Sequence, residues 1–285
     1  MVLGPSCGLT LADLGADVVK VEPAPGGDKT RQLPGSGSGF FGAFNRNKRS
    51  IAVNLKSPEG HRFATNLILE SDVLIENFGA GVMDRLGLGY KAIQEINPRL
   101  IYCALKGFLS GPYENRNALD EVVQMMGGLA YMTGPKGRPL RAGASVNDLV
   151  GALFGAVAIQ AALLERQRTG QGTFVRSGLF ESNMFLVANH MVQYCQTGMP
   201  ADPMPERKAS WAVYDVFQTA DDEKVFVGVV SDKQWVEFCR AFSLQDLVEN
   251  RDLSTNVQRV ECREKFIPRL HKMFKTYNLS QVTKI

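Results

Sequence analysis

The chain has 285 residues, 45% of them hydrophobic and 21% charged, which supplies apolar material for one large core or two smaller ones and excludes disorder, collagen and coiled coil. Lys and Arg number 32 against 29 Asp and Glu, a formal charge of +3. The basic residues are scattered, so no nucleic-acid footprint stands out, while a small anionic ligand is still compatible.

The chain opens on Gly8–Gly15 (GLTLADLG), read as a helix closed by glycine and leading into a strand at Asp17–Glu22. A doubly wound domain ordinarily opens on a strand, so the expectation is that a first strand lies outside this chain. Gly37–Gly42 fits GxGxxG, but it sits in a Gly/Pro-rich stretch after Pro34 and not between a first strand and a helix; it reads as a flexible loop. Asn47–Ser50 precedes a strand at Ile51–Asn54 and Lys56 follows it, charges that read as solvated strand ends. Ser57-Pro58-Glu59 then offers a cap, a first-turn proline and an acid for the dipole of the next helix.

A strand at Asp72–Ile75 is followed by Glu76–Gly81, a binding-loop candidate because open α/β sheets place ligands at the carboxyl ends of their strands. Leu100–Ala104 and Thr173–Arg176 complete the strand candidates. Asp120 falls in a loop or helix start. Asn147-Asp148 stands directly before the most apolar segment, Leu149–Leu164, whose 16 residues include Gln160 and fall short of the roughly 20 that cross a bilayer. That segment reads as a buried helix, with no membrane span. Asp148 is either a helix N-cap or a carboxylate nucleophile held at a helix start, and the residues leave both open. Its separation of 28 residues from Asp120 says nothing of their distance in space.

Alternation of short β-like runs with helical ones predicts an α/β fold, a Rossmann-like parallel sheet in a large domain spanning 1–203. Met199–Lys208 carries three prolines and reads as a linker. After it, 204–285 begins a smaller α+β domain, with an antiparallel pair at Val213–Thr219 and Lys224–Val230, a helix at Lys233–Phe242 and another at Val257–Thr276. The chain ends in a polar helical stretch, which predicts truncation at this end as well. His61, His190 and His271 lie far apart without ligand spacing, so no metal site is expected. No GxxxxGK[ST] occurs, and Gly35-Ser36-Gly37 lacks the second flank and the strand-to-helix context of a nucleophile elbow, which sets aside hydrolase chemistry of that type. The five cysteines, Cys7, Cys103, Cys195, Cys239 and Cys262, are odd in number and lack CxxC spacing, and no basic leader opens the chain. These features predict an intracellular protein with reduced thiols, in the cytoplasm or the mitochondrial matrix.

Taken together, the segments Leu14–Glu22 (LGADVVKVE), Asn45–Ile51 (NRNKRSI), Glu76-Asn77-Phe78, Ile96–Tyr102 (INPRLIY), Thr133-Gly134 and Arg168–Gly172 (RTGQG), in this order, resemble the class III CoA-transferase family (CaiB/BaiF), which includes formyl-CoA transferase and α-methylacyl-CoA racemase. The resemblance runs along nearly the whole chain and is nearest in character to the succinyl-CoA:dicarboxylate members. It implies that Asp148 is the catalytic carboxylate, passing through a mixed anhydride to an aspartyl-CoA thioester, and that Asp120 stands where formyl-CoA transferase-like members have a glutamate. It implies CoA contacts at Val53, Asn54, Leu55 and Lys56, at Asn77 and Phe78 on the adenine side, at Arg85 to a phosphate, and at Asn117 and Leu119 beside the pantetheine arm. Coenzyme A or acyl-CoA enters as substrate, with no tightly bound cofactor, and the family forms an interlaced homodimer. Backbone N–H groups at the start of the helix after Asp148 are expected to be available to oxyanions.

Some positions depart from the family. Val2 replaces an active-site glutamine, Pro23 an arginine, and Leu119 the histidine that serves racemases as a second base. The glycine-rich loop of oxalate-handling members has no match near Met204–Tyr214. The readings left are a CoA-transferase, a non-catalytic CoA-binding remnant, and, less well supported, an acyl-CoA racemase or epimerase.

Overall fold

In the computed structural model, which describes residues 1–207 and 209–285, Lys208 of the expected linker lies outside the described residues. Short apolar runs become parallel strands: β1 (Val18–Pro23), β2 (Lys48–Val53), β3 (Val73–Glu76), β4 (Ile101–Lys106) and β5 (Phe174–Gly178). They form two parallel sheets, β1-β2 and β3-β4-β5. Val18 stands opposite Lys48 and Val21 opposite Ile51, while Cys103 of the central strand pairs with Ile75 and Val175. Ile101 to Leu105 are all buried, the continuous apolar run that a strand covered on both faces requires. Because pairing is parallel within each sheet, β2 delivers Val53 and β3 and β4 deliver Glu76 and Lys106 to the carboxyl edges.

The first helix spans Leu3–Asp13, starting earlier than Gly8, and packs on both β1 and β3. The long helix Val146–Thr169 has 24 residues, and by length and composition it would suffice to cross a membrane. One of its faces is nevertheless buried, carrying Gly151, Ala152, Gly155, Ala156, Ile159 and Ala162. Small residues let its neighbours come close: a Cβ on Gly155 would stand 2.7 Å from Leu105 Cδ2 and 3.2 Å from Cys7 Sγ. Leu153, Phe154 and Val157 on another face stay exposed.

Several expectations change. β2 begins at Lys48, so Lys48 and Arg49 lie within the strand. The Lys48 ammonium is not a solvated end: it donates to the carbonyls of Pro5 (2.7 Å) and Phe44 (2.8 Å) and to Asn45 Oδ1 (3.2 Å), and burial with the nearby Lys20 charge pulls its pKa down to about 8. The GxGxxG stretch is a single 3-10 turn at Gly35–Gly37 followed by a short helix, Phe40–Asn45. Val257–Thr276 is two helices, Asn256–Glu261 and Arg263–Phe274, broken at Cys262.

The chain divides into two compact units, 1–205 and 206–285. In the second, β6 (Val213–Gln218) pairs antiparallel with β7 (Lys224–Val229), over a core of Phe217, Trp235, Phe266, Leu270 and Phe274. Arg259, buried there, donates to the Leu253 carbonyl at 2.8 Å and pairs with Asp232.

Candidate active site

Two acids that the sequence holds far apart meet at the start of the long helix. Ser145 occupies the N-cap position, so Asp148 is the third helical residue and the capping reading does not hold. The Leu3 backbone N–H, at the start of the first helix, donates to the Asp148 carboxylate. Burial, and next the negative charge of Asp120, raise its pKa from 3.8 to about 6 against the pull of the Leu3 N–H and the amino terminus.

Asp120 is the first residue of the helix Asp120–Met126 and is buried. Its Oδ1 accepts the backbone N–H of Asn147 at 2.8 Å and of Asp148 at 3.3 Å, and its other oxygen accepts from Gln124. It therefore caps the long helix from outside, supplying the acceptor that first-turn N–H groups lack. The remaining first-turn groups are also engaged, Val146 N–H with Ala144 and Leu149 N–H with Ser145. This corrects the expectation of N–H groups open to an oxyanion: in this arrangement Asp120 and local carbonyls take them. Gln124 accepts in turn from Ala142 N–H at 2.7 Å. Arg141 pairs with Glu121 and stands 3.9 Å from Asp120.

Asn77 is joined to this centre through the first helix. A Cβ on Gly4 would stand 2.6 Å from Asn77 Oδ1, so the Asn77 side chain lies against the residue that follows Leu3. Its loop is clamped: Lys106 Nζ is 2.6 Å from Glu76 Oε1 and donates to the Phe78 carbonyl at 2.9 Å, and Glu76 accepts the Phe78 N–H at 2.9 Å. Glu76 is buried while the Phe78 ring is 46% exposed, an apolar surface offered at a strand end. Asn117 and Leu119, both exposed, lead into Asp120, with Ala118 between them so close to Gly107 that a Cβ there would stand 2.5 Å away.

The remaining expected contacts lie at the carboxyl ends of β2 and β3. Val53 is buried at the end of β2, and Leu55 packs on the cluster containing Ala64 and Ile68. Asn54 Oδ1 accepts the Lys56 N–H at 3.1 Å, which turns Lys56 outward. Arg85 closes the short helix Val82–Arg85 and is exposed. Among the described residues no hydrogen bond or ion pair joins Lys56 or Arg85 to the acid pair; the structure brings together Asp148, Asp120 and Asn77, and leaves these two cations exposed at the loop edge. At the departures from the family, Val2 is buried and Pro23 ends β1.

The sequence reading missed Glu76 with Lys106, the Leu3 N–H and Gln124. Signals existed for two of them: a lysine ending a wholly apolar strand requires an acid nearby, and Gln124 follows Asp120 at the i,i+4 spacing of helix-face partners. A backbone N–H arriving from another helix leaves no mark on the sequence. Chemically, the arrangement presents a half-buried carboxylate, mostly ionised at neutral pH yet more basic than an ordinary aspartate.

Residues 1–285 match the family model described as CoA-transferase family III. The chain is 38% identical to an acyl-CoA transferase of Fusarium pseudograminearum, with 99% of this chain and 64% of that protein covered. It is 35% identical to the mouse succinyl-CoA:glutarate CoA-transferase, with 96% of this chain and 64% of that protein covered. It thus spans just under two thirds of the length of these relatives. A crystal structure of a CaiB/BaiF family protein from Brucella suis superposes with a TM-score of 0.84 at 33% identity, covering 99% of this chain and 77% of that one.

Proposed function

We propose, from the premise that this chain belongs to the CoA-transferase family III, that it moves CoA from an acyl-CoA donor to a free carboxylic acid through an aspartyl-CoA thioester on Asp148. The observation that carries the reading is the Asp148 carboxylate, held by the Leu3 N–H at a helix start with its pKa raised to about 6.

The Asp148 carboxylate attacks the thioester carbonyl; the C–S bond breaks, CoA thiolate leaves, and a mixed anhydride is formed. The thiolate then attacks the aspartyl carbonyl and the donor departs as its carboxylate. The acceptor carboxylate attacks the aspartyl thioester and expels the thiolate, which attacks the acceptor's acyl carbon and frees Asp148. No proton is gained or lost overall, and each step is an acyl transfer of moderate difficulty. Asp120 holds the helix start through the Asn147 and Asp148 N–H groups, and Leu119 in the neighbouring position has no proton to exchange, which disfavours racemisation. Lys56 and Arg85 meet phosphates, Asn77 and Phe78 the adenine side, and Asn117 and Leu119 the pantetheine arm. The relatives named for succinyl-CoA and glutarate support a dicarboxylic donor and acceptor. We infer also a homodimer through the exposed apolar face of Leu153, Phe154 and Val157, which continues into Phe185.

The test is intact-protein mass spectrometry after incubation with succinyl-CoA, with hydroxylamine trapping, on the parent and Asp148→Ala. An adduct confined to the parent is the expected result. The same adduct on Asp148→Ala overturns the nucleophile, and no adduct with several acyl-CoA donors leaves the non-catalytic CoA-binding remnant as the better reading.

A further inference from the structure

His61 belongs to none of the segments that carried the family resemblance. It lies in the first turn of the helix Pro58–Leu69, and its Nε2 stands 2.8 Å from the Leu86 carbonyl oxygen. Leu86 directly follows Arg85. The helix end bearing His61 is built onto the loop that presents Lys56: Ser57 Oγ accepts the Gly60 N–H at 3.1 Å, the Asn54 carbonyl accepts the Ser57 N–H at 3.0 Å, and a Cβ on Gly60 would stand 2.1 Å from Asn54 O. One imidazole thus joins the loop after β2 to the segment after β3.

The Arg85 segment is tightly formed on its own side. Gly81 adopts φ 68°, and a Cβ there would stand 3.1 Å from Arg85 Nη1, so the guanidinium folds back over bare backbone. Gly87 adopts the same φ, and a Cβ on it would come 3.4 Å from His61 Nε2. Both Lys56 and Arg85 are exposed, and neither side chain has an ion pair among the described residues. Two unpaired cations on separate loops bind one polyanion well only if the loops keep a fixed relation, since ordering them on binding costs affinity.

We propose that His61 is a positioning residue for the CoA nucleotide: its Nε2–H, donated to the Leu86 carbonyl, fixes Arg85 relative to the Lys56 loop so that both cations meet the phosphates. Both the neutral Nε2–H tautomer and the protonated ring supply this donor. The inference rests on the CoA-transferase reading and concerns affinity, not the acyl transfers at Asp148.

The experiment measures CoA binding by calorimetry and steady-state kinetics with succinyl-CoA and with succinyl-pantetheine, which lacks the nucleotide phosphates. His61→Ala weakens CoA binding and raises KM for succinyl-CoA about five- to tenfold, as expected for one lost hydrogen bond that orders a loop, while kcat changes far less. Succinyl-pantetheine does not distinguish parent from variant. His61→Gln, whose amide N–H can replace the donor, restores most of the affinity; His61→Leu takes the place of the alanine variant if that one does not fold. Unchanged CoA affinity in His61→Ala, or equal losses on both substrates, overturns the role. Absence of CoA binding by the folded parent overturns the functional reading itself, and is distinguished by that result.

Discussion

Replacing Asp120 by Asn removes one negative charge beside Asp148 while keeping an oxygen to accept the N–H groups of Asn147 and Asp148. Burial is the larger and Asp120 the smaller of the two main influences that lift Asp148 from 3.8 to about 6. Removing the Asp120 charge is expected to lower the Asp148 pKa by about one pH unit, or about 1.4 kcal/mol. With the ionised Asp148 carboxylate as the proposed nucleophile, kcat/KM of the parent is expected to fall as pH drops through about 6, and Asp120→Asn to carry that limb downward by about one pH unit. Stability changes in the opposite sense. A carboxyl whose folded pKa exceeds its unfolded value supports the fold fully below pH 3.8 and loses that support as pH rises through 6; the variant flattens this dependence. The assay is kcat/KM for succinyl-CoA over about pH 4.5 to pH 8 at fixed ionic strength, with thermal unfolding at each pH as control. Coincident acid limbs in parent and variant, or a limb displaced upward, would refute the electrostatic account of Asp148.

Lys106→Met leaves Glu76 buried without its cation and frees the Phe78 carbonyl. A stability loss of about 2 kcal/mol in urea unfolding is expected, with a severalfold rise in KM for acyl-CoA as the Asn77–Phe78 loop loosens; unchanged unfolding and KM would show that the clamp does nothing. Val157→Asp puts a charge on a residue 65% exposed in one chain, so the fold tolerates it, and light scattering should fall from the mass of a dimer to that of a monomer with helical circular dichroism retained. A parent chain that already scatters as a monomer refutes the proposed interface.

Strand existence was legible wherever apolar runs were dense, as in Ile101–Leu105, because burial on both faces leaves no position for a polar residue. The starts of strands were less so. Lys48 read as a solvated end, yet it lies inside β2 held by the Pro5 and Phe44 carbonyls, whereas Arg49, also within β2, is exposed as read, in a solvated pair with Asp17. Local residues could not choose between a cap and a nucleophile at Asp148, since the answer depends on where the helix begins, and Ser145 decides that three residues earlier. The meeting of Asp120 with Asp148 was likewise unreadable, since it depends on how two helices cross. Family resemblance supplied the identity of the acids; what each does for the other appears only in the hydrogen bonds.

Those hydrogen bonds explain how two carboxylates share one site without both being neutralised. Two first-turn N–H groups of the long helix, those of Asn147 and Asp148, go to the buried Asp120 carboxylate. Asp148 is left with the Leu3 N–H as its backbone donor and carries the cost of burial and repulsion as a raised pKa. Exchange of the roles would depress the nucleophile's pKa and weaken its attack, because nucleophilicity follows basicity. Even the Leu3 donor depends on packing: a Cβ on Gly151, one turn along from Asn147, would stand 3.0 Å from Leu3 Cδ1. A Cβ there asks the Leu3 side chain to give by a few tenths of an ångström, so the bare backbone of Gly151 is what admits Leu3 at this distance. The small-residue face of the long helix thus admits the first helix closely, and the same helix carries Leu3 toward Asp148 and Gly4 against Asn77.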